Sequence, residues 1–330
     1  MTRKNGLSRR TFSASALAAG AALGLPRIAR AQAYPNRPVR LILPFAAGGV
    51  ADVTSRLAAD KLGEKFKQRF VVENMPGPGG IAAAKAMINA APDGYTLGLI
   101  TNGTAISAAI YRQLPFDPVK QLAPISGVGN FELVFAVNAD SPYQTLGDFI
   151  KAARAQPGKL NFGTIAVGST QHLGAELFRS SAKLNIQLIP YKTTPDVTVG
   201  LLRNDIQIMT DFYAAMRAGL LDKKLRPLGT TGPTRTAFLP DVPTVAEGGV
   251  PGYEVLSWNG IGAPVGTPQA IIDTLNKAIR EVLAMPDVIK RYNEVGIAAR
   301  ASTPDELRKR LIADIKKWSD VIEAAKIKKL

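Results

Sequence analysis

The sequence predicts an α/β protein in which one unit of alternating strands and helices is inserted into another. Three observations support this fold class. Short apolar runs alternate with helical periods along residues 39–230, which is typical of a mostly parallel sheet. Apolar stretches at residues 133–138 and 253–258 are predicted as strands that leave the first unit and return to it. Two amphipathic helices then complete the first unit.

The composition excludes several classes of protein. The chain has 330 residues, 46% of them hydrophobic, which is enough for one or two globular cores. It contains no cysteine and a single histidine, so disulfides, thiolate nucleophiles and cysteine-based metal sites are excluded. A zinc or haem site would depend almost wholly on carboxylates. We therefore expect neither a metal nor a cofactor.

The first 33 residues have the features of an export signal of the twin-arginine type. Ser8-Arg9-Arg10-Thr11-Phe12 fits the twin-arginine pattern, and an apolar run of small residues follows at 13–25. That run is shorter than the about 20 residues that a membrane-spanning helix needs. Ala31-Gln32-Ala33 is a suitable cleavage site, so a periplasmic protein cleaved after Ala33 is expected.

Part of the net charge of +15 comes from this signal. It contains six basic and no acidic residues, so +9 remains after its removal. Lysine and arginine are scattered through the rest of the chain, and an exported protein seldom meets nucleic acid, so no nucleic-acid partner is expected. A diffuse positive field would favour the arrival of small anions, although an ordinary basic surface explains the charge equally well.

The stretch after the first strand has the pattern of an anion-binding loop. The strand at 39–43 ends at Pro44, which cannot donate to a sheet, and residues 46–49 are alanine and glycine. A helix begins at Val50, with Asp52 in its first turn. This arrangement leaves backbone N–H groups that can bind an anion. A tight turn without a ligand is the alternative, because the spacing matches neither a dinucleotide-binding loop nor a P-loop.

A second copy of this design favours the anion-binding interpretation. A strand at 160–163 leads through the loop 163–169 into a helix at 170–182, which Ser169 caps. His172 is expected to donate to an anion, to position the loop or to make a structural hydrogen bond. A catalytic Ser–His pair is not favoured. Two residues on one helix start need not bring hydroxyl and ring together, and no G-x-S-x-G motif surrounds Ser169.

The remaining elements are predicted from the same signals. Strands are expected at residues 70–73, 95–100, 186–190, 206–210 and 226–230, and helices at 81–90, at 145–155, near 195–202, and from Thr267 and Thr303 onward. Ligands bind beyond the carboxyl ends of parallel strands, so the loops at 46–49 and 101–104 should share one edge. Asp211 stands at a strand end on the same edge, where a ligand or hinge function is expected. Two units joined by two crossings can close on a ligand.

Several motifs between residues 34 and 330 occur together in one family. They include Pro44-Phe45 with Gly48-Gly49, Pro92-Asp93-Gly94-Tyr95-Thr96, Phe162-Gly163 with Gly168-Ser169, Pro190-Tyr191-Lys192 and Leu239-Pro240-Asp241-Val242-Pro243-Thr244. In this order they resemble the periplasmic solute receptors of tripartite tricarboxylate transporters, also called Bug-type receptors. The motifs are specific for the family and say little about the ligand.

The resemblance implies a two-domain periplasmic-binding-protein (clamshell) fold, type II-like, with the two crossing strands as hinge. Domain I would comprise residues 34–136 and 256–330, and domain II residues 137–255. The implied function is capture of a small organic carboxylate between the domains and its delivery to the membrane permease subunits of such a transporter. The protein is expected to be a monomer and not an enzyme. A ligand sensor that signals to a membrane kinase is the alternative, with a periplasmic hydrolase as the third.

The resemblance also implies that the two loops hold the carboxylate through backbone amides, hydroxyls and waters. Neither loop contains lysine or arginine. Phe212-Tyr213-Ala214 stands where the family tends to carry Asn-Leu-Pro, so ring-bearing acids are a further expectation. Asp52 is expected either to contact the ligand or to complement the helix dipole. The predicted ligand-binding residues are Phe45, Ala47, Gly48, Gly49, Asp52, Asn102, Thr104, Thr164, Val167, Gly168, Ser169, Thr170, His172, Tyr191, Asp211, Phe212 and Trp258.

Overall fold

One ten-stranded mixed sheet organises the chain. The computed structural model describes residues 34–330, of which residues 37–330 form one unit. The export signal predicted over residues 1–33, with its cleavage after Ala33, lies outside the described residues. Within the described residues we find no helix with the length and hydrophobicity to span a bilayer.

The elements alternate along the chain as the sequence indicated. The strands are β1 (Val39–Leu43), β2 (Phe70–Asn74), β3 (Thr96–Thr101), β4 (Leu122–Asn138), β5 (Asn161–Thr164), β6 (Gln187–Pro190), β7 (Ile208–Phe212), β8 (Leu225–Thr230), β9 (Leu256–Pro264) and β10 (Ile297–Ala299). The helices are α1 (Val50–Phe66), α2 (Ile81–Ile88), α3 (Asn102–Ile110), α4 (Leu146–Ala155), α5 (Thr170–Ser181), α6 (Thr194–Leu202), α7 (Tyr213–Leu221), α8 (Gln269–Leu283), α9 (Pro286–Glu294) and α10 (Pro304–Ala324).

Two parallel sets of strands are joined by an antiparallel pair. The strand order is β2-β1-β3-β9-β4-β7-β5-β6, and β8 and β10 also pair with β4. β1 is parallel to β2 and β3, and β5 is parallel to β6 and β7. β4 and β9 run antiparallel to each other between the two sets. The predicted α/β class is confirmed, and the carboxyl ends of β1 and β3 lie at one edge as predicted.

β4 is longer than the sequence indicated. A strand was expected at residues 133–138, but β4 begins at Leu122. Its residues 122–132 pair with β9, and its later residues pair with β7 and β8. The early part lacks an apolar period because several of its positions are glycines, which leave space for other segments of the protein to pack against the strand. A Cβ on Gly129 would lie only 2.6 Å from Ile297.

A helix replaces the predicted loop at residues 101–104. The Thr101 N–H donates to the Thr104 hydroxyl at 3.1 Å, and the Thr104 N–H donates to the Thr101 hydroxyl at 3.3 Å. This capping box begins α3 at Asn102. Both threonines are visible in the sequence, but the small polar residues 101–104 were expected to form a loop. α7, α9 and β10 were also not predicted, and α7 buries only Met216, which leaves it without an apolar period.

One hydrophobic core extends across both parallel sets. The Phe135 ring of β4 packs edge-on against Phe162 of β5 and Phe178 of α5, with 5.1 Å between ring centroids in each pair. The same cluster contains Ile106 of α3 and Trp318 of α10. This packing includes Ile100 and Phe162 and so positions the carboxyl ends of β3 and β5. The division into two hinged domains stays a prediction.

Candidate functional site

Two loops with the same backbone conformation precede helices at the strand ends. After β1, Gly48 has a φ of +84° and Gly49 is the N-cap of α1. After β5, Gly168 has a φ of +82° and Ser169 is the N-cap of α5. Glycine adopts this left-handed conformation without strain. The first N–H groups of each helix lack intrahelical partners and carry the positive end of the helix dipole.

The loop after β5 lines a cavity of about 510 Å³, together with two residues that precede the glycines of the loop after β1. It is lined by Pro44 and Phe45 after β1, by residues 77–80, by α2, β3 and α3, and by residues 166–170. None of the described residues that line it is lysine, arginine, histidine, aspartate or glutamate. An anion in this cavity would therefore be held by N–H groups and hydroxyls rather than by a cation.

A buried hydrogen bond connects α3 with α5. Asn102 Nδ2 donates to Thr170 Oγ1 at 2.8 Å, so the first residues of the two helices are joined. Asn102 Oδ1 accepts from Trp318 Nε1 of α10, also at 2.8 Å. All three side chains are buried. Both the nitrogen and the oxygen of the Asn102 side-chain amide, predicted as a ligand contact, therefore bond to protein groups.

Several of the predicted ligand-binding residues line the cavity. Ser169 Oγ accepts the His172 N–H at 3.1 Å, which leaves its own hydroxyl hydrogen to be donated. Thr104 Oγ1 likewise accepts the Thr101 N–H. These two hydroxyls and the start of α5 are polar groups that a ligand could contact. The predicted residues that line the cavity are Phe45, Thr104, Val167, Gly168, Ser169 and Thr170.

Asp52 is buried and bonded within its own loop. Arg56 Nε donates to its carboxylate at 3.0 Å, Asn74 Nδ2 at 2.9 Å and the Gly48 N–H at 2.9 Å. Asn74 also donates to the carbonyl oxygen of Phe45, so the end of β2 is bonded to the first loop. Arg56, followed by Gly48 and Asn74, lowers the Asp52 pKa to about 2. The Gly48 amide, predicted to bind the ligand, is therefore occupied by this carboxylate.

His172 lies in the first turn of α5 and does not line the cavity. Its side chain is buried, and Nδ1 has no hydrogen-bond partner among the described residues. Burial, and then the positive charge of Arg179, lowers the His172 pKa to about 4. The ring is therefore neutral at pH 7. Which of the three functions predicted for His172 applies stays a prediction.

Asp211 is buried near the end of β7. Gln171 Nε2 and the Phe212 N–H donate to Oδ1 at 2.8 and 2.7 Å, and the Thr194 hydroxyl donates to Oδ2. Burial raises the pKa of this carboxyl, while the three donors act in the opposite direction. Asp211 thus connects β7 with α5 and α6. Across the described residues, no group of His, Asp and Glu side chains is arranged to hold a metal ion.

The other predicted residues near the loops do not line the cavity. Ala47 and Gly49 are exposed beside it. The Thr164 hydroxyl is buried and donates to the carbonyl oxygen of Ile165 at 3.0 Å. Ligand contact by these three residues stays a prediction.

The three predicted aromatic residues also lie away from the cavity. The Tyr191 hydroxyl faces Gly200, whose missing side chain gives it space. Phe212 packs edge-on against Phe131, with ring centroids 4.9 Å apart. Trp258 is buried, and its Nε1 donates to Asp314 of α10 at 2.5 Å. The expected binding of ring-bearing acids by Phe212 and Trp258 has no support from these positions.

One wall of the cavity consists of residues that were not predicted from the sequence as ligand contacts. Apolar residues of α2, β3 and α3 form it, together with residues just after α3. Their spacing indicated helices and strands but not which of their faces borders a cavity. The missed lining residues include Ala83, Ala84, Leu99, Ile106, Ser107, Ile110, Tyr111, Phe116 and Leu122.

A second cavity, of about 560 Å³, lies beside β9 and the start of α10. Three arginines line it, Arg280, Arg300 and Arg310, together with Glu306. Neither glycine loop contributes to it, and the helix start next to it carries acidic residues. We therefore place the candidate site at the first cavity, and Arg300 offers a comparison when the site is tested.

The chain is similar to a family of transport receptors. The family described as "Tripartite tricarboxylate transporter family receptor" matches residues 54–327. Protein BugT of Bordetella pertussis is 33% identical over 316 residues, which cover 93% of this chain and 96% of that protein. A Pseudomonas sp. (strain P51) protein from the tcbD-tcbE intergenic region is 32% identical over 297 residues, covering 90% and 88% of the two chains.

Solved structures show the same fold. The Rhodopseudomonas palustris protein Rpa4515, solved with adipate, has a TM-score of 0.78 at 32% identity, covering 90% of this chain and 100% of that one. MatC from the same organism, solved with bound malate, has a TM-score of 0.72 at 28% identity, covering 88% and 100%. The periplasmic binding protein BugD has a TM-score of 0.74 at 27% identity, covering 90% and 100%. The predicted periplasmic-binding-protein fold is confirmed.

Proposed function

Because the chain belongs to the tripartite tricarboxylate transporter receptor family, we propose that it captures a small organic carboxylate in the periplasm. It then delivers this ligand to the membrane permease of such a transporter. Two relatives solved with adipate and with malate support a carboxylate as the ligand class. The family comprises receptors and not enzymes, and BugD is described as periplasmic.

The observation that carries the proposal is the cavity lined by the second glycine loop and by the starts of α3 and α5. Each of these two helix starts carries roughly half a positive charge, and none of the described lining residues is a cation that would compete with it. Ser169 and Thr104 supply hydroxyls at the same place. A carboxylate bound there would accept hydrogen bonds from fixed dipoles, and ordered waters could complete its coordination.

The Ser169–His172 pair has a geometry that supports binding rather than catalysis. The Ser169 oxygen accepts from the His172 backbone N–H at 3.1 Å. Among the described residues, the His172 ring has no bond to this hydroxyl, and its buried Nδ1 has no partner. A hydroxyl nucleophile needs a base within hydrogen-bond reach, which this arrangement does not provide.

Calorimetric titration of residues 34–330 tests the proposal. Acetate, succinate, adipate, malate, hexanoate and benzoate form a suitable panel. At least one acid should bind 1:1, be recovered unchanged and raise the melting temperature by mass action. Removing the hydroxyl in Ser169→Ala should weaken binding by about ten- to a hundred-fold, because a hydrogen bond to a charged group is worth about 1.5–3 kcal/mol.

Arg300→Ser is the matched control, because Arg300 lines the second cavity and not the first. It should leave the affinity unchanged. Binding lost in Arg300→Ser and retained in Ser169→Ala would place the carboxylate in the second cavity. Failure of every acid to bind would contradict the proposal. Delivery is tested by uptake into vesicles that contain the permease, which should require added receptor.

A further inference from the structure

The cavity continues past the second glycine loop and the start of α3 into an apolar arm. This arm lies between α2, α3 and β3, and the short chain after α3 closes it. Its walls are aliphatic and aromatic, and most of them are buried. The side chains that form it are Ala83, Leu99, Ile106, Ile110, Phe116 and Leu122.

The cavity is larger than a short acid requires. A cavity of about 150 Å³ accepts a benzene molecule. The volume of about 510 Å³ is roughly three times this value. An acid of two to four carbons at the helix starts would leave the apolar arm without contacts. A longer chain or a ring would fill it.

The arm offers little to a second charged group. The Ser107 hydroxyl, one of its few polar groups, donates to the carbonyl oxygen of Gly79 at 3.0 Å. No basic side chain lines any part of the cavity within the described chain. A carboxylate transferred from water into such surroundings without a partner is strongly disfavoured.

From this asymmetry we infer that the site selects an amphipathic monocarboxylate. Its single carboxylate lies at the starts of α3 and α5, and the apolar chain or ring of an acid with six or more carbons in all lies in the arm. This inference rests on the proposed function and narrows its ligand class. It separates this chain from the two relatives solved with the dicarboxylates adipate and malate.

Acids of equal length test the inference directly. Hexanoate and adipate differ only in the second carboxyl group, and so do octanoate and suberate. In calorimetric titrations each monoacid should bind at least tenfold more tightly than its diacid. Affinity should also rise from butyrate to octanoate by up to about fourfold for each methylene buried, which is the factor that 0.8 kcal/mol gives.

A cation placed in the arm should reverse this preference. Ala84 of α2 lines the cavity and is half-buried, so Ala84→Lys can be accommodated. It should weaken octanoate binding at least tenfold and make suberate the tighter ligand of the pair. Ala82→Lys, an exposed position on the same helix, is the control and should leave both affinities unchanged.

The outcomes separate the inference from the proposed function. If adipate and suberate bind as tightly as their monoacids or more so, the inference is wrong and the proposed function stands. If no carboxylate of either kind binds, the proposed function is wrong, and the inference fails with it. Equal effects of Ala84→Lys and Ala82→Lys would also contradict the inference, because they would show that the arm does not contact the ligand.

Discussion

The loop after β1 and the loop after β5 place a left-handed glycine and an N-cap at equivalent positions. Gly48 and Gly168 differ by only 2° in φ. The N-caps that follow them, Gly49 and Ser169, have the same φ of −75°. The side-chain bonds, however, run in opposite directions. In the first loop Asp52 accepts the N–H of the glycine, and in the second loop Ser169 accepts an N–H of the helix.

This difference leads to a prediction about the contribution of each loop to ligand binding. The first loop is exposed, and the carboxylate of Asp52 already occupies one of its amides. The second loop is held through the neutral hydroxyl of Ser169, which can still donate outward. A carboxylate ligand should therefore depend more strongly on the second loop than on the first.

Substituting the two glycines should separate the loops most strongly. Gly48→Ala should cost about 1–2 kcal/mol of unfolding free energy, because an L-residue is strained at this φ. A Cβ on Gly48 meets nothing within 4 Å, whereas one on Gly168 would lie 2.8 Å from Ile110 Cδ1. Gly168→Ala should therefore cost about 1.5–3.5 kcal/mol, since shifting the end of the Ile110 side chain adds to the strain. Urea unfolding measures both values, and equal losses would contradict the proposed contact with Ile110.

The two loops should also differ in their response to acid. The His172 pKa is lowered to about 4 in the folded protein, and the ordinary value is about 6.5. The unfolded chain binds the proton more readily, so this stability is present above pH 6.5 and is lost as pH falls towards 4. The full effect is about 3 kcal/mol. For Asp52, with a pKa of about 2, the corresponding loss of about 2 kcal/mol occurs between pH 4 and 2.

Unfolding free energies of wild type, His172→Leu and Asp52→Asn from pH 8 to pH 2 check this prediction. The variant should lose less stability than wild type between pH 6.5 and 4, and Asp52→Asn should differ in slope only below pH 4. Burial raises the Glu132 pKa to about 7, which gives a slope of opposite sign. Glu132 is present in all three proteins, so its contribution cancels in the differences. Parallel curves for wild type and His172→Leu would assign the proton uptake to another group.

The smallest expected effect concerns the caps. Ser169→Ala removes the side-chain cap of α5 and should cost about 1 kcal/mol of unfolding free energy. Gly49→Ser gives α1 the cap that α5 already has, at a φ that serine tolerates, and should add a few tenths of a kcal/mol. Shifts of the urea midpoint at constant m-value measure both changes. A loss of stability in Gly49→Ser would show that the first loop has no space for a capping side chain.

The sequence predicted the elements that carry strong local signals. Pro44 and Gly48-Gly49 fixed the end of β1 and the start of α1, and Ser169 fixed the start of α5. The early part of β4 was not predicted. Its glycines are needed where segments distant in sequence pack closely against the strand, and this produces no local pattern. Trp258 shows the same limit. Its register on β9 directs the indole to Asp314 of α10, a residue 56 positions away.

The sequence by itself determined the α/β class, the family resemblance and the two glycine loops, because these follow from patterns within a few residues or from motif order. The tertiary structure decided which predicted polar groups remain available to a ligand. It engages Asp52, Asn102 and Asp211 with protein partners and leaves Ser169 at the cavity. It also created the apolar arm, since a cavity forms only where helices and strands far apart in sequence fail to fill the space between them.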